Sequence, residues 1–202
     1  MTDFVRDQVA AALSSLKQFA EDGAALRQIA EMGSVCAERL GAGNKILIAG
    51  NGGSAADSQH IAAEFVGRLA VERHPLPAIA LTTDTSILTA IGNDYGFESV
   101  FERQIRALGV RGDVFVGIST SGRSANILRA FSAAREKGII TMGLTGAGSD
   151  LISLCDHLVR VPSKDTQRIQ EIHTLIGHIV CAIAEQACIS QNTFAAAARG
   201  SV

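Results

Sequence analysis

The segment spanning residues 45–65 restricts the fold of this chain more strongly than any other. It reads KILIAGNGGSAADSQHIAAEF, an apolar run followed by a glycine-rich turn and then by apolar residues at helical spacing. An uninterrupted apolar run is typical of a parallel strand that is covered on both faces. Gly50, Gly52 and Gly53 allow the backbone to turn sharply and to approach a ligand. The segment therefore predicts a strand, a tight loop and a helix whose N-terminus can bind an anionic or polyhydroxyl ligand.

Apolar runs alternate with helical patterns along the remainder of the chain. Four further strands are predicted at residues 78–83, 113–119, 139–146 and 157–162. Helices are predicted at 86–92, with a break at Gly92 that leaves residues 93–95 in a loop, and at 97–108, 125–137, 149–155 and 166–186. Such alternation implies right-handed crossovers and a three-layer α/β/α sandwich around a five-stranded parallel sheet. Ligands of these folds bind at the carboxyl ends of the strands.

The chain is expected to form a single domain that begins with a helical pair. Residues 1–41 show two amphipathic patterns, residues 44–188 contain the α/β core, and residues 189–202 form a tail with a weak period and no assignment. With 202 residues, of which 47% are hydrophobic and 19% charged, the chain can fill one core and not two. A mean hydropathy of +0.23 is high for a soluble monomer. We therefore expect the apolar surplus to be buried between subunits.

Composition also disfavours several locations and partners. No stretch reaches the roughly 18 uncharged apolar residues that a membrane helix requires. The N-terminus is acidic where a signal peptide is basic, so a cytoplasmic location is expected. A formal charge of −2 and a pI near 6.2 argue against a large nucleic-acid surface. The cysteines form no C-x-x-C pair and are interpreted as reduced core or interface residues.

A second polar loop follows the strand predicted at residues 113–119. It places Ser119, Thr120, Ser121 and Ser124 around Gly122 at the start of a helix. An N-cap needs only one hydroxyl, whereas four hydroxyls within six residues match a phosphate with several acceptor oxygens. We therefore predict phosphate binding, with an ordinary helix cap as the alternative. The sequence does not contain the P-loop motif of nucleotide-binding proteins.

The first loop also matches the dinucleotide pattern G-x-G-x-x-A at residues 50–55, with Asn51 and Ser54 as its polar side chains. That pattern is usually followed, about 20 positions later, by an acidic residue for the ribose. The best candidate at a strand end, Asp84, lies 34 positions after Gly50. The hydroxyl-rich loop would have no role in such a scheme. An oxidoreductase is therefore disfavoured.

Two helical segments carry candidate acid-base groups. His60 and Glu64 are four residues apart, so they share a helix face, and their apolar neighbours suggest limited contact with solvent. An exposed polar stripe is the alternative. On the last helix, polar residues follow one another at steps of four: Gln170, Thr174 and His178. His173 is interpreted as a satisfied core histidine, whereas His178 is a candidate for a second catalytic group.

Four motifs occur in order along the chain: GNGGSAADSQHIAAEF, LTTDTSILTAIGNDYGFE, ISTSGRSANIL and RIQEIHTLIGH. Together they resemble the phosphoheptose isomerase family of the sugar isomerase (SIS) domain superfamily. The likeness covers about residues 45–178 and, more loosely, the N-terminal helices. It implies a flavodoxin-like sheet and an aldose-ketose isomerase that converts sedoheptulose 7-phosphate to D-glycero-D-manno-heptose 7-phosphate through an enediol. In that family the reaction is an early step of bacterial lipopolysaccharide heptose biosynthesis.

The resemblance also implies roles for individual residues. Glu64 and His178 match the family's acid-base pair. The implied zinc ligands, for one ion per subunit, are His60, Glu64, Gln170 and His178. The implied substrate contacts are Asn51, Gly52, Gly53, Ser54, Glu64, Asn93, Asp94 and Gln170, with the phosphate at Ser119, Thr120, Ser121 and Ser124. A metal-free acid-base pair is the alternative, because glutamine is an uncommon zinc ligand. The family is homotetrameric with sites at subunit boundaries, which agrees with the apolar surplus.

The sequence departs from the family pattern in a few places. Arg123 and Ala125 stand where relatives often carry another polar residue and a proline, and the alanine-rich tail has no clear counterpart. The rival interpretation is a non-catalytic SIS protein that senses sugar phosphates and regulates replication by binding the initiator protein. Such proteins are similar in the glycine loop but lack the glutamate and final histidine that stand here as Glu64 and His178. We therefore expect an enzyme.

Overall fold

A parallel sheet of five strands lies at the centre of the part of the chain that the structure describes. The computed structural model describes residues 1–147 and 150–199, with side chains as far as residue 190. The strands are β1 (Ile46–Gly50), β2 (Ala78–Ala80), β3 (Val114–Ser119), β4 (Ile140–Thr145) and β5 (His157–Arg160). They pair in parallel in the order β2-β1-β3-β4-β5. This is the flavodoxin-like order of a doubly wound sheet, so the predicted fold class is confirmed.

Helices cover both faces of the sheet. They are α1 (Thr2–Ala20), α2 (Gly23–Gly41), α3 (Gly53–Val66), α4 (Thr85–Tyr95), α5 (Val100–Leu108), α6 (Ala125–Glu136) and α7 (Thr166–Arg199). Single 3-10 turns lie at Phe97–Ser99 and Asp150–Ser153. Successive side chains of a strand point to opposite faces, so Ile46 and Ile48 pack with α2, α3 and α7, whereas Leu47 packs with α5 and α6. The result is the predicted three-layer sandwich.

The helix that follows β2 differs from its prediction. α4 is continuous and does not break at Gly92, so residues 93–95 form its last turn and not a loop. A glycine inside a helix costs only about 1 kcal/mol of stability relative to alanine. The N-terminus of this helix is capped, because the Asp84 carboxylate accepts a backbone N–H of the first turn. The helix ends at Gly96, whose φ of +86° lies in the left-handed region.

The last helix is longer than its prediction. α7 continues to Arg199, whereas the sequence pattern predicted an end near residue 186 and an unassigned tail. Residues 195–198 are all alanine, the residue type with the highest helix propensity. The helix therefore continues although the apolar period weakens. Residues 200–202 of the predicted tail lie outside the described residues.

Between Thr166 and Ser190, α7 also has the length and hydropathy of a membrane-crossing helix. Its mean hydropathy is 1.5 over an 18-residue window, and half of that window is buried inside the protein. A helix that is apolar on most sides is equally typical of a core position. Here α7 packs against α2 and α3 in one layer of the sandwich, so its composition is explained by the fold and is only weak support for a membrane span.

Three of the four cysteines, Cys36, Cys181 and Cys188, are buried. The Cys36 thiol contacts the Met142 sulfur at 3.9 Å. Burial raises the pKa of Cys36 to about 12, and it raises that of the partly buried Cys155 to about 12 as well. Thiols with such pKa values stay protonated and unreactive at neutral pH, which agrees with the packing role predicted for the cysteines.

His173 lies fully inside the core, as predicted, but it is not satisfied as predicted. Neither ring nitrogen has a partner with good hydrogen-bond geometry among the described residues. Burial lowers the pKa of His173 to about 4, and the nearby Thr145 backbone opposes this effect only in part. Desolvation disfavours the charged imidazolium, so the ring is neutral at physiological pH.

We expect the protein to lose stability as the pH falls from about 6.5 towards 4. A histidine in the unfolded chain binds its proton near pH 6.5, whereas folded His173 binds one only near pH 4. In that window the unfolded state therefore binds more protons, and acid favours it by up to about 3 kcal/mol. Denaturant unfolding of the parent and of a His173→Leu variant at pH 7 and pH 4.5 measures the effect. An equal loss in both proteins would assign it to other groups.

Candidate active site

The two polar loops lie side by side at the carboxyl end of the sheet. The glycine loop follows β1 and the hydroxyl loop follows β3, and these strands are paired so that Gly50 lies opposite Ile118. The side chains of Asn51 and Asn126 exchange two hydrogen bonds, of 2.9 and 2.8 Å, and so join the loops. Asn126 was not predicted from the sequence, because an asparagine in the first turn of a helix carries no signal for a partner 75 residues away.

The glycine loop has a backbone conformation and a close contact with α7 that only glycine allows. Gly52, at the N-cap of α3, has a φ of +55°, which favours glycine. A Cβ added to Gly53 would lie 2.3 Å from the Gln170 amide nitrogen. Glycine is therefore required where α7 places Gln170 against the loop. The buried Ser54 lies in the first turn of α3. The loop and the start of α7 together form one wall of the site.

The serines of the hydroxyl loop make local hydrogen bonds, with Ser119 buried and Ser121 exposed. Ser119 Oγ accepts from the Gly122 amide at 3.1 Å and lies 3.0 Å from Ser124 Oγ, and Ser121 Oγ accepts from the Arg123 amide at 3.2 Å. Ser124 occupies the N-cap of α6, but its side chain makes no cap hydrogen bond. The helix-cap alternative therefore does not account for this hydroxyl, and phosphate binding stays a prediction.

A cleft opens beside the hydroxyl loop. Its volume is about 490 Å³, enough for a sugar phosphate. Thr120 and Ser121 line it on one side, and Lys164 and Thr166 line it from the segment that leads into α7. Arg123, which departs from the family pattern, lies on the same wall. Two cationic side chains and several hydroxyls therefore line the cleft beside the hydroxyl loop, together with the Asp150 carboxylate.

Helices α3 and α7 approach each other closely beyond the glycine loop. The Thr174 hydroxyl donates to Asp57 Oδ1 at 2.9 Å. One turn further along, a Cβ at Gly177 would lie 2.5 Å from the Ile61 side chain. The small residue therefore allows the contact that brings the neighbouring His178 to the surface of α3. Thr174 was noted in the sequence for its spacing, but its bond to Asp57 depends on the packing of the two helices.

His60, Glu64 and His178 form one cluster across these helices. The Nε2 atoms of the two histidines lie 2.8 Å apart, and His60 Nε2 lies 3.5 Å from Glu64 Oε1. Glu64 is largely shielded, with a side chain 18% exposed, whereas the His60 side chain is 46% exposed in the single chain. The expected shielding from solvent is therefore found at Glu64 and is incomplete at His60.

This cluster fits a metal ion by its chemistry and its size. Two imidazoles and a carboxylate offer one ligand atom each, and these atoms all lie within 4.8 Å of one another. Nitrogen and oxygen donors of this kind suit zinc. Gln170, the fourth ligand that the resemblance implies, lies two turns before His178 on α7 with its amide against Gly53. Its role as a ligand stays a prediction.

Asn93 and Asp94 lie elsewhere in the chain. They are exposed in the last turn of α4, where Asn93 Nδ2 donates to Asp94 Oδ1 at 2.7 Å. Asp94 lines a separate cavity of about 520 Å³ between α4 and α5, together with Tyr95 and Arg103. Within one chain these two predicted substrate contacts are therefore not grouped with the hydroxyl loop.

The sheet order and the two loops at its carboxyl edge define an α/β protein of the SIS-domain class, and the family model described as SIS domain matches residues 8–146. The chain is 53% identical over 195 residues to the phosphoheptose isomerase of Aneurinibacillus thermoaerophilus, which covers 96% of this chain and 98% of that protein. It is 63% identical over 145 residues to phosphoheptose isomerase 2 of Campylobacter jejuni, over 71% and 72% of the two chains.

Solved structures agree with these sequence matches. Phosphoheptose isomerase GmhA from Neisseria gonorrhoeae superposes with a TM-score of 0.84 at 43% identity, over 91% of this chain and 98% of that one. The phosphoheptose isomerase from Francisella tularensis superposes with a TM-score of 0.86 at 36% identity, over 92% and 98%. The chain therefore belongs to the phosphoheptose isomerase family.

Proposed function

We propose that this protein is an aldose-ketose isomerase that converts sedoheptulose 7-phosphate to D-glycero-D-manno-heptose 7-phosphate. The observation that carries the proposal is the cluster of Glu64 and His178 on facing helices, beside the 2.8 Å contact of His178 with His60. Family membership supports the same activity. We further propose that the product supplies the heptose of bacterial lipopolysaccharide and that the protein acts in the cytoplasm.

The reaction needs one group that moves a carbon-bound proton and one that serves the sugar oxygens. Glu64 is the better base for carbon, because its carboxylate is largely shielded and can take the proton from one carbon and return it to its neighbour. The carbonyl oxygen gains a proton as the enediol forms, and the neighbouring hydroxyl loses one as the enediol collapses. We assign both oxygen protons to His178, since its imidazole lies in the same cluster as Glu64 and can donate or accept a proton.

We also propose that His60, Glu64, Gln170 and His178 hold one zinc ion per subunit. When bound, zinc acts as a Lewis acid that polarises the substrate carbonyl. His60 supports this assignment most directly, since its Nε2 atom lies 2.8 Å from His178 Nε2 and 3.5 Å from Glu64 Oε1. The metal-free alternative keeps the same residues as an acid-base pair held by hydrogen bonds.

A homotetramer with sites at subunit boundaries is part of the proposal. One face of α1 presents large apolar side chains to solvent in the single chain: Val5, Val9, Leu13 and Leu16. An apolar helix face of this kind is typical of a subunit interface. Asn93 and Asp94 support the same proposal, because substrate contacts that lie apart from the hydroxyl loop in one chain can reach the site of a neighbouring subunit.

The direct test is to incubate the purified protein with sedoheptulose 7-phosphate and to follow formation of the aldose. We expect turnover with this substrate and none with its dephosphorylated form at the same concentration, because the hydroxyl loop then has no ligand. A protein that binds the substrate without turnover would contradict the proposal. That outcome would favour the non-catalytic regulator, which is otherwise disfavoured because Glu64 and His178 are both present and lie in one cluster.

Removing two hydroxyls of the phosphate loop should weaken binding more than chemistry. In a Ser121→Ala and Ser124→Ala double variant the loop loses two polar contacts, each worth about 0.5–1.5 kcal/mol, so affinity should fall roughly 5- to 150-fold. Calorimetry with sedoheptulose 7-phosphate and with inorganic phosphate measures both affinities. A Ser132→Ala variant is the matched control, since Ser132 is an exposed residue of α6 whose hydroxyl bonds only within its own helix. Unchanged affinity for both ligands would reassign the loop as a helix cap.

A further inference from the structure

A buried ion pair lies where the end of α3 meets α7. The side chains of Arg73 and Glu185 are only 4% and 3% exposed, and Arg73 Nε lies 3.1 Å from Glu185 Oε1. Arg73 belongs to the segment that follows α3, and Glu185 lies on α7 two turns beyond His178. Removing two charges from water is unfavourable unless further hydrogen bonds compensate. The other hydrogen-bond partners of Arg73 and Glu185 therefore indicate which parts of the structure the pair holds in place.

Glu185 is surrounded by donors. Besides Arg73, it accepts from three successive backbone amides, those of Leu69 at 3.1 Å, Ala70 at 3.0 Å and Val71 at 3.2 Å. Burial by itself would raise the pKa of Glu185, but the amides and Arg73 outweigh burial and hold that pKa below its ordinary value. The carboxylate therefore stays ionised and ties the segment after α3 to α7.

Arg73 directs its other donors at the end of α3. Its Nη2 donates to the Glu64 carbonyl at 2.7 Å. Its Nη1 donates to the carbonyls of Phe65 at 2.8 Å, Gly67 at 3.2 Å and His74 at 3.1 Å. The last carbonyls of a helix have no partner within it and form the negative end of its dipole. The guanidinium satisfies them and bonds directly to the backbone of Glu64.

We propose that Arg73 and Glu185 are positioning residues. They hold Glu64 on α3 and His178 on α7 in the relative positions that proton transfer to and from the substrate requires. The bonds run from the Glu64 carbonyl through the guanidinium to Glu185, so they join the two helices close to the cluster. This inference rests on the proposed function, because it takes Glu64 as the base. Arg73 and Glu185 act through Glu64.

A positioning role and a role in stability alone predict different effects of a substitution on kcat and KM. Misplacing a catalytic group by about 1 Å can lower the rate of the chemical step about 100-fold. Substrate binding is affected much less, because the phosphate loop lies on β3 and α6 and keeps its contacts. A positioning defect therefore lowers kcat and leaves KM nearly unchanged. A defect in stability alone lowers the amount of folded enzyme and leaves kcat per folded site at the parent value.

The test is an Arg73→Lys variant. Lysine keeps the charge but has a single donor group, so it cannot bond Glu185 and the helix carbonyls together. We expect kcat per folded site to fall about 10- to 100-fold, with KM within about threefold of the parent. With substrate deuterated at the transferred carbon-bound position, the isotope effect on kcat should increase, because proton transfer becomes more strongly rate-limiting. Arg106→Lys is the matched control, since Arg106 pairs with Glu102 and Glu136 at the surface.

A second variant covers the case in which Arg73→Lys fails to fold. Arg73→Met combined with Glu185→Gln removes both charges together and leaves no unpaired ion in the core, so the same kinetic pattern is expected from it. Parent values of kcat and isotope effect in a folded variant would overturn the positioning role, as would failure of both variants to fold. A Glu64→Gln variant is measured alongside. If it turns over normally, the proposed base is wrong, whereas an inactive Glu64→Gln protein beside a normal Arg73→Lys protein overturns the positioning role alone.

Discussion

Turnover of sedoheptulose 7-phosphate should fall about 10²- to 10⁴-fold in a Glu64→Gln variant, with the protein still folded. Glutamine has nearly the shape of glutamate but cannot accept a proton from carbon at neutral pH. The fold should survive because the Glu64 backbone carbonyl keeps its 2.7 Å bond from Arg73. The loss should therefore appear in kcat, since the hydroxyl loop that binds the phosphate is unchanged.

The measurement is aldose formation at saturating substrate, with circular dichroism to show that the fold is intact. Glu72→Gln is the matched control, because Glu72 is 85% exposed and pairs only with Arg68 at 3.5 Å. It makes the same chemical change outside the cluster and should leave turnover at the parent value. Normal turnover in a folded Glu64→Gln protein would require another base.

Zinc binding should be lost in a His60→Ala variant. Loss of a single outer-shell partner lowers metal affinity about 10- to 100-fold, so loss of a ligand is expected to cost at least about 100-fold. The readouts are elemental analysis of protein purified without a histidine tag and turnover before and after treatment with a chelator. His157→Ala is the control, since His157 lies on β5 and contacts Gln28 instead of the cluster.

Two outcomes would distinguish catalysis that needs a metal from catalysis by the acid-base pair alone. If the parent contains no zinc and a chelator leaves its activity unchanged, Glu64 and His178 act without a metal. If zinc is present and His60→Ala loses both the ion and turnover, the metal takes part. In the second case the ion held by these residues would polarise the substrate carbonyl, and Glu64 would be a weaker base while it served as a ligand. Both results leave the isomerase assignment intact.

Much of the fold could be predicted because its signals are local. The apolar run of β1, the glycines after it and the hydroxyls after β3 lie within short stretches of sequence, and a period of 3.6 or 2 residues needs no knowledge of distant parts. The positions of both loops follow from one rule, that parallel strands place their carboxyl ends at one edge. The spacing of His60 and Glu64 likewise predicted their shared face.

Two predictions failed, one at a helix interior and one in the core. Gly92 looked like a break, but Asp84 starts α4 and the left-handed Gly96 ends it, so the interior glycine is tolerated. His173 looked satisfied, yet its nitrogens lack well-placed partners among the described residues. The caps of α4 stand on either side of it in the sequence, whereas the surroundings of His173 depend on how the folded chain packs.

The sequence by itself determined the layers, the strand-loop-helix units and the residue types at the site, since periodicity, glycine turns and hydroxyl clusters act over a few residues. Only the tertiary structure decided which of these groups meet. The Asn51 and Asn126 amides pair across 75 residues, and Arg73 and Glu185 pair across 112. Such contacts depend on how α3, α6 and α7 pack on the sheet, and packing depends on the shapes of many side chains at once.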